Sequence, residues 1–392
     1  MADAHLQTTL PREVADPPPQ GWRRSIATSR WLIQLLRGLI DGERAYAGPF
    51  YVELSTTTLC NQGCLGCQYH SSATRGRLYS AEGTEHMPLD QIKTLCEGLR
   101  RLGTREMIVT GEGEPFLHPQ LFEIVSLCKR AGLFVHLFTN GTLLDESNVA
   151  ALIDSGVDIL RVSLWAASPE EYAKCYPGVD PGNFQRTLNG VRLVSSLKAK
   201  HGTALPTLIL TGPLNRHNWK GITDKIRLAH EIGTDGVTFT PYRHWRGEFS
   251  SAALSSAEID EVRQDLAQSR ELLESLGLSH NLDEALLRFR LGEAFWNDLP
   301  CYIGWFHSQI TVDGTVVPCG SCPIPLGNLN DRSFEDIWNG AEYRAFRARC
   351  LTAKGWALED ERCDCSYCCF TTRNARVHRY FRWLAPLVRH DG

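Results

Sequence analysis

The 392-residue sequence lacks a long hydrophobic run and a strong charge of either sign. Its most apolar stretch, residues 31–40, is interrupted by Arg37 and is too short to cross a bilayer. No basic segment followed by an apolar core and a small-residue cleavage site marks the N-terminus for secretion. A net charge of −4 favours neither nucleic acid nor a general membrane surface as a partner. We therefore expect a cytoplasmic protein that does not bind nucleic acid.

Cysteine is the abundant residue that needs an explanation, with 14 copies. Cytoplasmic thiols stay reduced, so metal or redox chemistry explains them better than a disulfide framework. Three of them form one tight group, Cys60, Cys64 and Cys67. The last quarter of the chain contains eight more: Cys301, Cys319, Cys322, Cys350, Cys363, Cys365, Cys368 and Cys369. Three others stand alone, Cys96, Cys128 and Cys175, and the first two lie on helical patterns that predict buried core positions.

From residue 50 to residue 245, β-rich runs alternate with helical patterns. The strands are predicted at 50–56, 106–110, 134–138, 159–163, 207–211 and 236–240, with helices near 88–101, 119–131, 145–153, 183–199 and 218–231. This alternation predicts parallel βαβ units, either in a doubly wound sheet or in a barrel. Six such units are fewer than the eight of a closed barrel.

Regions of different composition flank this central part. We predict a disordered, proline-rich arm at 1–27, a helix within 28–49 and a helical linker at 246–300 with helices at 257–277 and 282–293. A small cysteine-rich α+β domain should follow at 301–370, with a hairpin that turns at Asp313 and Gly314. Residues 371–392 form a basic amphipathic tail that Pro386 interrupts. We expect the tail to dock on the barrel, with membrane or partner contact as the alternatives.

The first cysteine group lies in the loop after the first predicted strand. Its spacing is C-x3-C-x2-C, and in α/β folds the carboxyl edge of the sheet is where ligands bind. Three thiolates cannot complete a tetrahedral zinc site, and His70 is the only evident fourth ligand nearby. The same three thiolates can hold three irons of a [4Fe–4S] cluster and leave the fourth iron open.

This spacing in this position resembles the radical S-adenosylmethionine (SAM) superfamily. The segment after the second strand looks like the Gly-Gly-Glu-Pro motif of that family, with Glu112 in place of its first glycine. Polar residues also end the third and fourth strands, as they do near the ligand in the family. The resemblance implies that SAM is held by Gly113, Glu114, Pro115, Thr139, Asn140 and Ser163. The family usually has an aromatic residue before the third cysteine, where this chain has Gly66, so we expect Tyr69 to substitute for it.

The resemblance also implies the fold and the chemistry. The fold would be an α/β partial (β/α)6 barrel followed by the small cysteine-rich domain. A low-potential [4Fe–4S] cluster at Cys60, Cys64 and Cys67 would reduce bound SAM and yield a 5′-deoxyadenosyl radical. An external donor such as flavodoxin or ferredoxin would supply the electron.

The later cysteines resemble a "twitch" domain, the shorter relative of the SPASM extension. Twelve residues separate Cys301 from Gly314 and four separate Gly314 from Cys319, and a Cys365-x2-Cys368 pair comes later. The resemblance implies one auxiliary [4Fe–4S] cluster at Cys301, Cys319, Cys365 and Cys368. Four cysteines remain surplus, Cys322, Cys350, Cys363 and Cys369, so two auxiliary clusters or a zinc ribbon stay open as alternatives.

An auxiliary redox cluster suits an oxidation. Twitch-containing relatives include 2-deoxy-scyllo-inosamine dehydrogenase, so we predict an oxidoreductase of a hydroxyl-bearing small molecule, a sugar or aminocyclitol in antibiotic biosynthesis. Three residues after the sixth strand are candidates for substrate binding or general-base catalysis, Arg243, His244 and Glu248.

Three alternatives remain for the function. The first is a redox-neutral epimerase, dehydratase or decarboxylase, the second a peptide or protein maturase, and the third a non-enzymatic metal-binding module. Fewer than about fifty residues precede the first strand, less than a leader-binding domain needs, which favours a small substrate.

Overall fold

A computed structural model describes residues 26–71, 84–244, 249–291, 299–352, 360–365 and 368–381. Residues 1–25 of the arm predicted at 1–27, the substrate candidate Glu248 and the tail beyond residue 381 lie outside the described residues. The last two residues of the predicted arm, 26 and 27, instead begin a helix.

The central part is a parallel α/β sheet, and all six predicted strands are present. They are β1 (Tyr51–Ser55), β2 (Glu106–Thr110), β3 (Phe134–Thr139), β4 (Ile159–Ser163), β5 (Thr207–Leu214) and β6 (Gly236–Pro241). In β2, β3 and β4 alternate residues are fully buried, and the others are half-buried. The buried residues pack against the outer helices, while the half-buried ones line the concave face. The chain thus has the predicted α/β architecture of a partial barrel.

Helices connect and cover these strands. In chain order they are α1 (Ile26–Asp41), α2 (Leu89–Leu102), α3 (Leu121–Arg130), α4 (Glu146–Ser155), α5 (Pro169–Cys175), α6 (Gly182–His201), α7 (Ile222–Glu231), α8 (Ser256–Gln268), α9 (Arg270–Ser275), α10 (Leu282–Leu291), α11 (Ile303–Phe306), α12 (Phe334–Trp338), α13 (Ala341–Thr352) and α14 (Thr371–Phe381). The single helix predicted at 257–277 is wrong, because α8 and α9 are separated at Ser269. The Oγ of Ser269 donates a hydrogen bond to the carbonyl of Asp265, a contact that bends helices.

The sheet is larger than the six predicted strands. Four short strands extend it: β7 (Ser279–His280), β8 (His307–Ile310), β9 (Thr315–Val317) and β10 (Gly327–Asn328). The order is β10-β9-β8-β1-β2-β3-β4-β5-β6-β7. Strand β8 runs parallel to β1, with His307 opposite Tyr51, and β8 and β9 form the predicted hairpin. The hairpin therefore continues the barrel sheet and covers the otherwise open edge of β1.

Helix α14, the first part of the predicted tail, packs against the barrel. The Oδ1 atom of Asn374 accepts a hydrogen bond from the backbone N–H of Tyr302 at 2.6 Å, and Phe381 is buried. The Arg373 guanidinium lies 4.0 Å from the ring centroid of Tyr51 on β1. Within the described ranges, no helix combines the length and apolar character needed to span a bilayer.

Candidate active site

The first three cysteines lie on a compact loop that follows β1. The backbone N–H of Cys67 donates to the carbonyl of Cys64, and the N–H of His70 points at the Cys67 Sγ atom at 3.3 Å. The Nε2 atom of His70 is 2.8 Å from the carbonyl oxygen of Glu112. One ring nitrogen of His70, the possible fourth zinc ligand, is therefore engaged with backbone.

The same thiols share a desolvated environment. Burial raises the pKa of the Cys60 thiol to about 12. Burial also raises the pKa of Cys64 well above its usual value, and the neighbouring Cys67 and Cys60 thiols raise it further. Three thiolates could persist together here only if a cationic centre bound them. This donor set fits an iron–sulfur cluster that takes three cysteine ligands.

Two glycines after β2 allow that segment to touch the cluster loop. A Cβ atom on Gly113 would lie 2.2 Å from the carbonyl oxygen of Leu59 and 2.6 Å from that of Thr57. Gly111 has a φ of +113°, and a Cβ there would lie 2.0 Å from the Oγ atom of Ser55. Both contacts are possible only without a side chain. The glycines therefore bring the predicted SAM-binding segment directly against the predicted cluster loop.

Glu114 connects the ends of β2 and β3. Its carboxylate accepts hydrogen bonds from the Thr139 hydroxyl at 2.8 Å and from the backbone N–H groups of Asn140 at 2.7 Å and Phe116 at 3.2 Å. Burial raises the pKa of Glu114 to about 7, and these hydrogen bonds partly oppose the shift. Pro115 follows directly and is buried. The structure thus brings Gly113, Glu114, Pro115, Thr139 and Asn140 together.

Ser163 ends β4 beside an aromatic cluster. Its hydroxyl accepts a hydrogen bond from the indole Nε1–H of Trp165 at 3.0 Å, and its carbonyl accepts one from Tyr176 at 3.0 Å. Tyr69 follows the first cysteine group in the chain. Burial, with the nearby Glu112 and Cys67, holds the pKa of its phenol well above the usual range. The roles of Ser163 and Tyr69 toward SAM stay predictions.

The aromatic ring beside Gly66 belongs to Tyr242. Gly66 has a φ of +73°, and a Cβ atom there would lie 2.3 Å from the Tyr242 hydroxyl. Tyr242 is 4% exposed, its hydroxyl has no hydrogen-bond partner among the described residues, and its ring lies edge-on to Trp165. Sequence reasoning missed this residue, although its place directly after β6 could have indicated it.

A second cysteine group is buried in the C-terminal part. Cys301, Cys319, Cys365 and Cys368 are each at most 6% exposed. Burial raises the pKa of all four thiols. Repulsion from other members of the group raises the pKa of Cys319, Cys365 and Cys368 further, whereas the Cys350 thiol does so for Cys301. These are the predicted auxiliary ligands, and buried thiols in mutual electrostatic contact are a donor set that fits a second cluster.

The surplus cysteines divide into three environments. Cys322 and Cys363 are joined as a disulfide, which differs from the expectation that these thiols are reduced. The Cys350 carbonyl accepts a hydrogen bond from the backbone N–H of Cys301 at 3.3 Å. Cys369 is exposed as a residue, but burial of its thiol raises the thiol pKa, and the charge of Glu53 adds to the shift. The lone cysteines predicted as core, Cys96, Cys128 and Cys175, are all buried.

No group of three or more His, Cys, Asp or Glu side chains within the described ranges is arranged to hold a single metal ion. A cubane cluster binds each thiolate to a different iron, so its cysteines stand farther apart than the ligands of one ion.

Two substrate candidates lie at the carboxyl end of β6. The Arg243 guanidinium donates to the Ser321 hydroxyl at 2.9 Å and to the carbonyl of Asp364 at 3.3 Å. Arg243 therefore links β6 to the cysteine-rich part. His244 is half-buried, and the catalytic roles of both residues stay predictions.

Comparison with known families supports both halves of this site. The radical SAM superfamily matches residues 54–213, and the SPASM family, an iron–sulfur cluster-binding domain, matches residues 301–375. The AdoMet-dependent heme synthase of Methanosarcina barkeri is 27% identical over 318 residues, which cover 75% of this chain and 83% of that protein. The PqqA peptide cyclase of Xanthomonas campestris is 27% identical over 310 residues, which cover 76% of each chain.

Solved structures share the fold. Streptococcus suis SuiB bound to S-adenosylmethionine has a TM-score of 0.60 at 15% identity and covers 77% of this chain and 68% of its own. The anSMEcpe structure with bound AdoMet has a TM-score of 0.61 at 16% identity, and the match covers 87% of this chain and 95% of that chain. The two matched domains imply [4Fe–4S] clusters and SAM as cofactors. This chain therefore carries a radical SAM domain followed by a SPASM iron–sulfur domain, and it is a radical SAM enzyme.

Proposed function

We propose that this enzyme modifies an amino-acid side chain of a peptide substrate by radical chemistry. The structural observation that supports a substrate site between the two cysteine groups is a cavity that Tyr242 and Cys368 both line. Tyr242 also touches the loop of the first cysteine group at Gly66, and Cys368 belongs to the second group. A substrate carbon in this cavity would lie between the SAM site and the auxiliary cysteines.

The chemistry divides between the cofactors and the chain. When bound, the cluster and SAM supply reductive cleavage of the sulfonium to a 5′-deoxyadenosyl radical that takes a hydrogen atom from the substrate. Cys60, Cys64 and Cys67 hold that cluster in our proposal. Gly113 allows the backbone to approach SAM, and the ionised Glu114 carboxylate attracts the ammonium group of its methionine. The apolar wall near Tyr242 keeps water away from the reacting carbon.

The choice of a peptide rests on the relatives. The PqqA peptide cyclase of Xanthomonas campestris matches this chain over 76% of its length, and SuiB, which shares the fold, has been solved with its precursor peptide SuiA. The heme synthases and peptide cyclases that match this chain do not support our expectation of a sugar or aminocyclitol dehydrogenase, so that substrate class is the weaker proposal. The AdoMet-dependent heme synthase favours a tetrapyrrole as the second candidate.

Deuterium tracing separates these substrate classes. The enzyme is reconstituted with iron and sulfide without oxygen and given SAM, dithionite and one deuterated probe. The probes are a pool of peptides with deuterated side chains, a deuterated tetrapyrrole and a deuterated aminocyclitol. We expect 5′-deoxyadenosine to gain deuterium from the peptide pool alone. Deuterium from another probe would overturn the peptide proposal, and no 5′-deoxyadenosine with intact clusters would overturn radical SAM chemistry.

Iron content tests the two cysteine groups. We expect about eight irons per chain in the wild type and about four after Cys60, Cys64 and Cys67 are replaced by alanine. A fall from about twelve to about eight would indicate two auxiliary clusters. About four irons falling to none would remove the auxiliary cluster from the proposal. Replacement of Cys96 by alanine serves as the control, because that buried thiol lies outside both groups.

A further inference from the structure

The cavity between the two cysteine groups contains one charged side chain. It measures about 70 Å³, and apolar residues such as Leu214, Ile259 and Phe289 form most of its wall. Arg288 is the only charged residue that lines it within the described ranges. A cation in an apolar wall is costly unless an anion accompanies it.

Arg288 lies on α10, close to the second cysteine group. Burial raises the pKa of the Cys369 thiol, and the positive charge of Arg288 opposes that shift, so the guanidinium lies within electrostatic reach of this residue. The side chain is half-buried, and no carboxylate of the described residues forms an ion pair with it. Glu284, one helical turn earlier, instead accepts a hydrogen bond from the Thr372 hydroxyl at 2.9 Å.

The other charges near Cys369 leave this guanidinium available to a ligand. Arg243 adds a second positive charge there but donates to Ser321 and to the carbonyl of Asp364. Glu53 is the nearby negative charge, and its Oε1 atom lies 3.6 Å from the Nε2 atom of His307. The guanidinium of Arg288 can therefore donate two parallel hydrogen bonds to a carboxylate.

We propose that this cavity binds an aspartate or glutamate side chain of the substrate, with Arg288 paired to its carboxylate. The inference rests on the proposed function, because it names the residue type that the peptide presents. The size of the cavity supports a short aliphatic acid: a cavity of about 150 Å³ holds a benzene ring, and this one is smaller. The wall contacts the methylene groups while the guanidinium binds the charge.

Equilibrium binding tests the inference without any radical chemistry. Ligand-observed NMR titrations on the reconstituted enzyme with SAM, and without reductant, compare N-acetyl-glutamate methylamide with its neutral isostere N-acetyl-glutamine methylamide. We expect the acid to bind at least about 10-fold more tightly than the amide. The Arg288→Gln variant should bind the two probes within about 2-fold of each other, and Arg288→Lys should recover part of the preference.

Arg290→Gln is the matched control, because Arg290 is an exposed residue of the same helix outside the cavity lining, and it should keep the full preference for the acid. Iron content and the melting temperature of each variant check that the fold and clusters are intact. Any of three results would overturn the inference. The wild type could bind both probes equally, the Arg288→Gln variant could keep the preference for the acid, or the acid could fail to bind at roughly tens of millimolar. Failure of the peptide proposal would show separately, in the deuterium experiment.

Discussion

The pairing of Gly66 with Tyr242 gives the sharpest test of the site geometry. The perturbation is Gly66→Ala, which adds one methyl group between the second and third cysteines of the cluster loop. That methyl carbon would lie 2.3 Å from the Tyr242 hydroxyl and 2.9 Å from the ring carbon that bears it. The ring cannot withdraw easily, since it is 4% exposed and packs edge-on against Trp165.

Two costs add at this position. A φ of +73° is strained for any residue with a Cβ atom, at about 1–2 kcal/mol. The overlap with Tyr242 adds about 1–3 kcal/mol, as for other methyl groups forced into a packed region. We therefore expect Gly66→Ala to lower the free energy of unfolding by about 2–5 kcal/mol.

Gly103 provides a control for the first cost alone. It has a φ of +78°, and a Cβ atom there would meet nothing within 4 Å. We expect Gly103→Ala to cost about 1–2 kcal/mol in urea denaturation of the reconstituted enzyme and to leave the iron content unchanged. Gly66→Ala should cost more and should lose iron from the first cluster.

A double-mutant cycle identifies Tyr242 as the source of the clash. Gly66→Ala combined with Tyr242→Ala should cost about 1–3 kcal/mol less than the sum of the two single variants, because the methyl group then has space. The reasoning is refuted if Gly66→Ala costs no more than Gly103→Ala, or if the Gly66 and Tyr242 changes are additive.

Three further predictions address the cofactor pocket, the buried arginine and the core thiols. SAM should bind more tightly as the pH rises from 6 to 8, because the pKa of Glu114 is about 7 and only its ionised form attracts the SAM ammonium. Fluorescence or dialysis titrations measure this affinity, and the Glu114→Gln variant should show a flatter dependence on pH. Arg347→Ala should lower the free energy of unfolding by about 3–5 kcal/mol in urea denaturation, since the fully buried guanidinium donates hydrogen bonds to four oxygens. Replacement of the exposed Arg344 by alanine should change this free energy little. Replacement of both Cys96 and Cys128 by alanine should leave the iron content unchanged, because their Sγ atoms lie 3.8 Å apart in the core and bind no cluster.

Much of the barrel could be predicted because its strands are strongly patterned. The strands at 106–110 and 159–163 have the predicted bounds, since each is a short β-rich run between helical patterns. The resemblance to the radical SAM superfamily implied that Glu114, Thr139 and Asn140 lie together at the SAM site, and the carboxyl ends of neighbouring parallel strands do share one edge. The structure confirms that proximity through the hydrogen bonds of the Glu114 carboxylate.

Contacts between residues distant in sequence could not be predicted in this way. Tyr242 and Gly66 are 176 positions apart, and no local pattern indicates that one fills the space beside the other. The parallel pairing of β8 with β1 is equally non-local. The sequence predicts a hairpin strand at 308–312 but does not indicate that this strand extends the barrel sheet. The position of Arg288 at a cavity could not be predicted, because in the sequence it is an ordinary charged residue of a predicted linker helix.

These distant contacts explain how the SPASM part closes the open side of the barrel. It joins the six central strands at one edge through the β8–β1 ladder, and Arg243 reaches it from the end of β6, near the other edge. Moving the auxiliary cysteines away from the barrel would break the parallel ladder and leave the N–H and C=O groups along one edge of β1 unpaired. The cavity at Arg288 is bounded by both parts, so its size depends on these two attachments. The β8–β1 ladder and the Arg243 hydrogen bonds therefore fix the separation of the two cysteine groups.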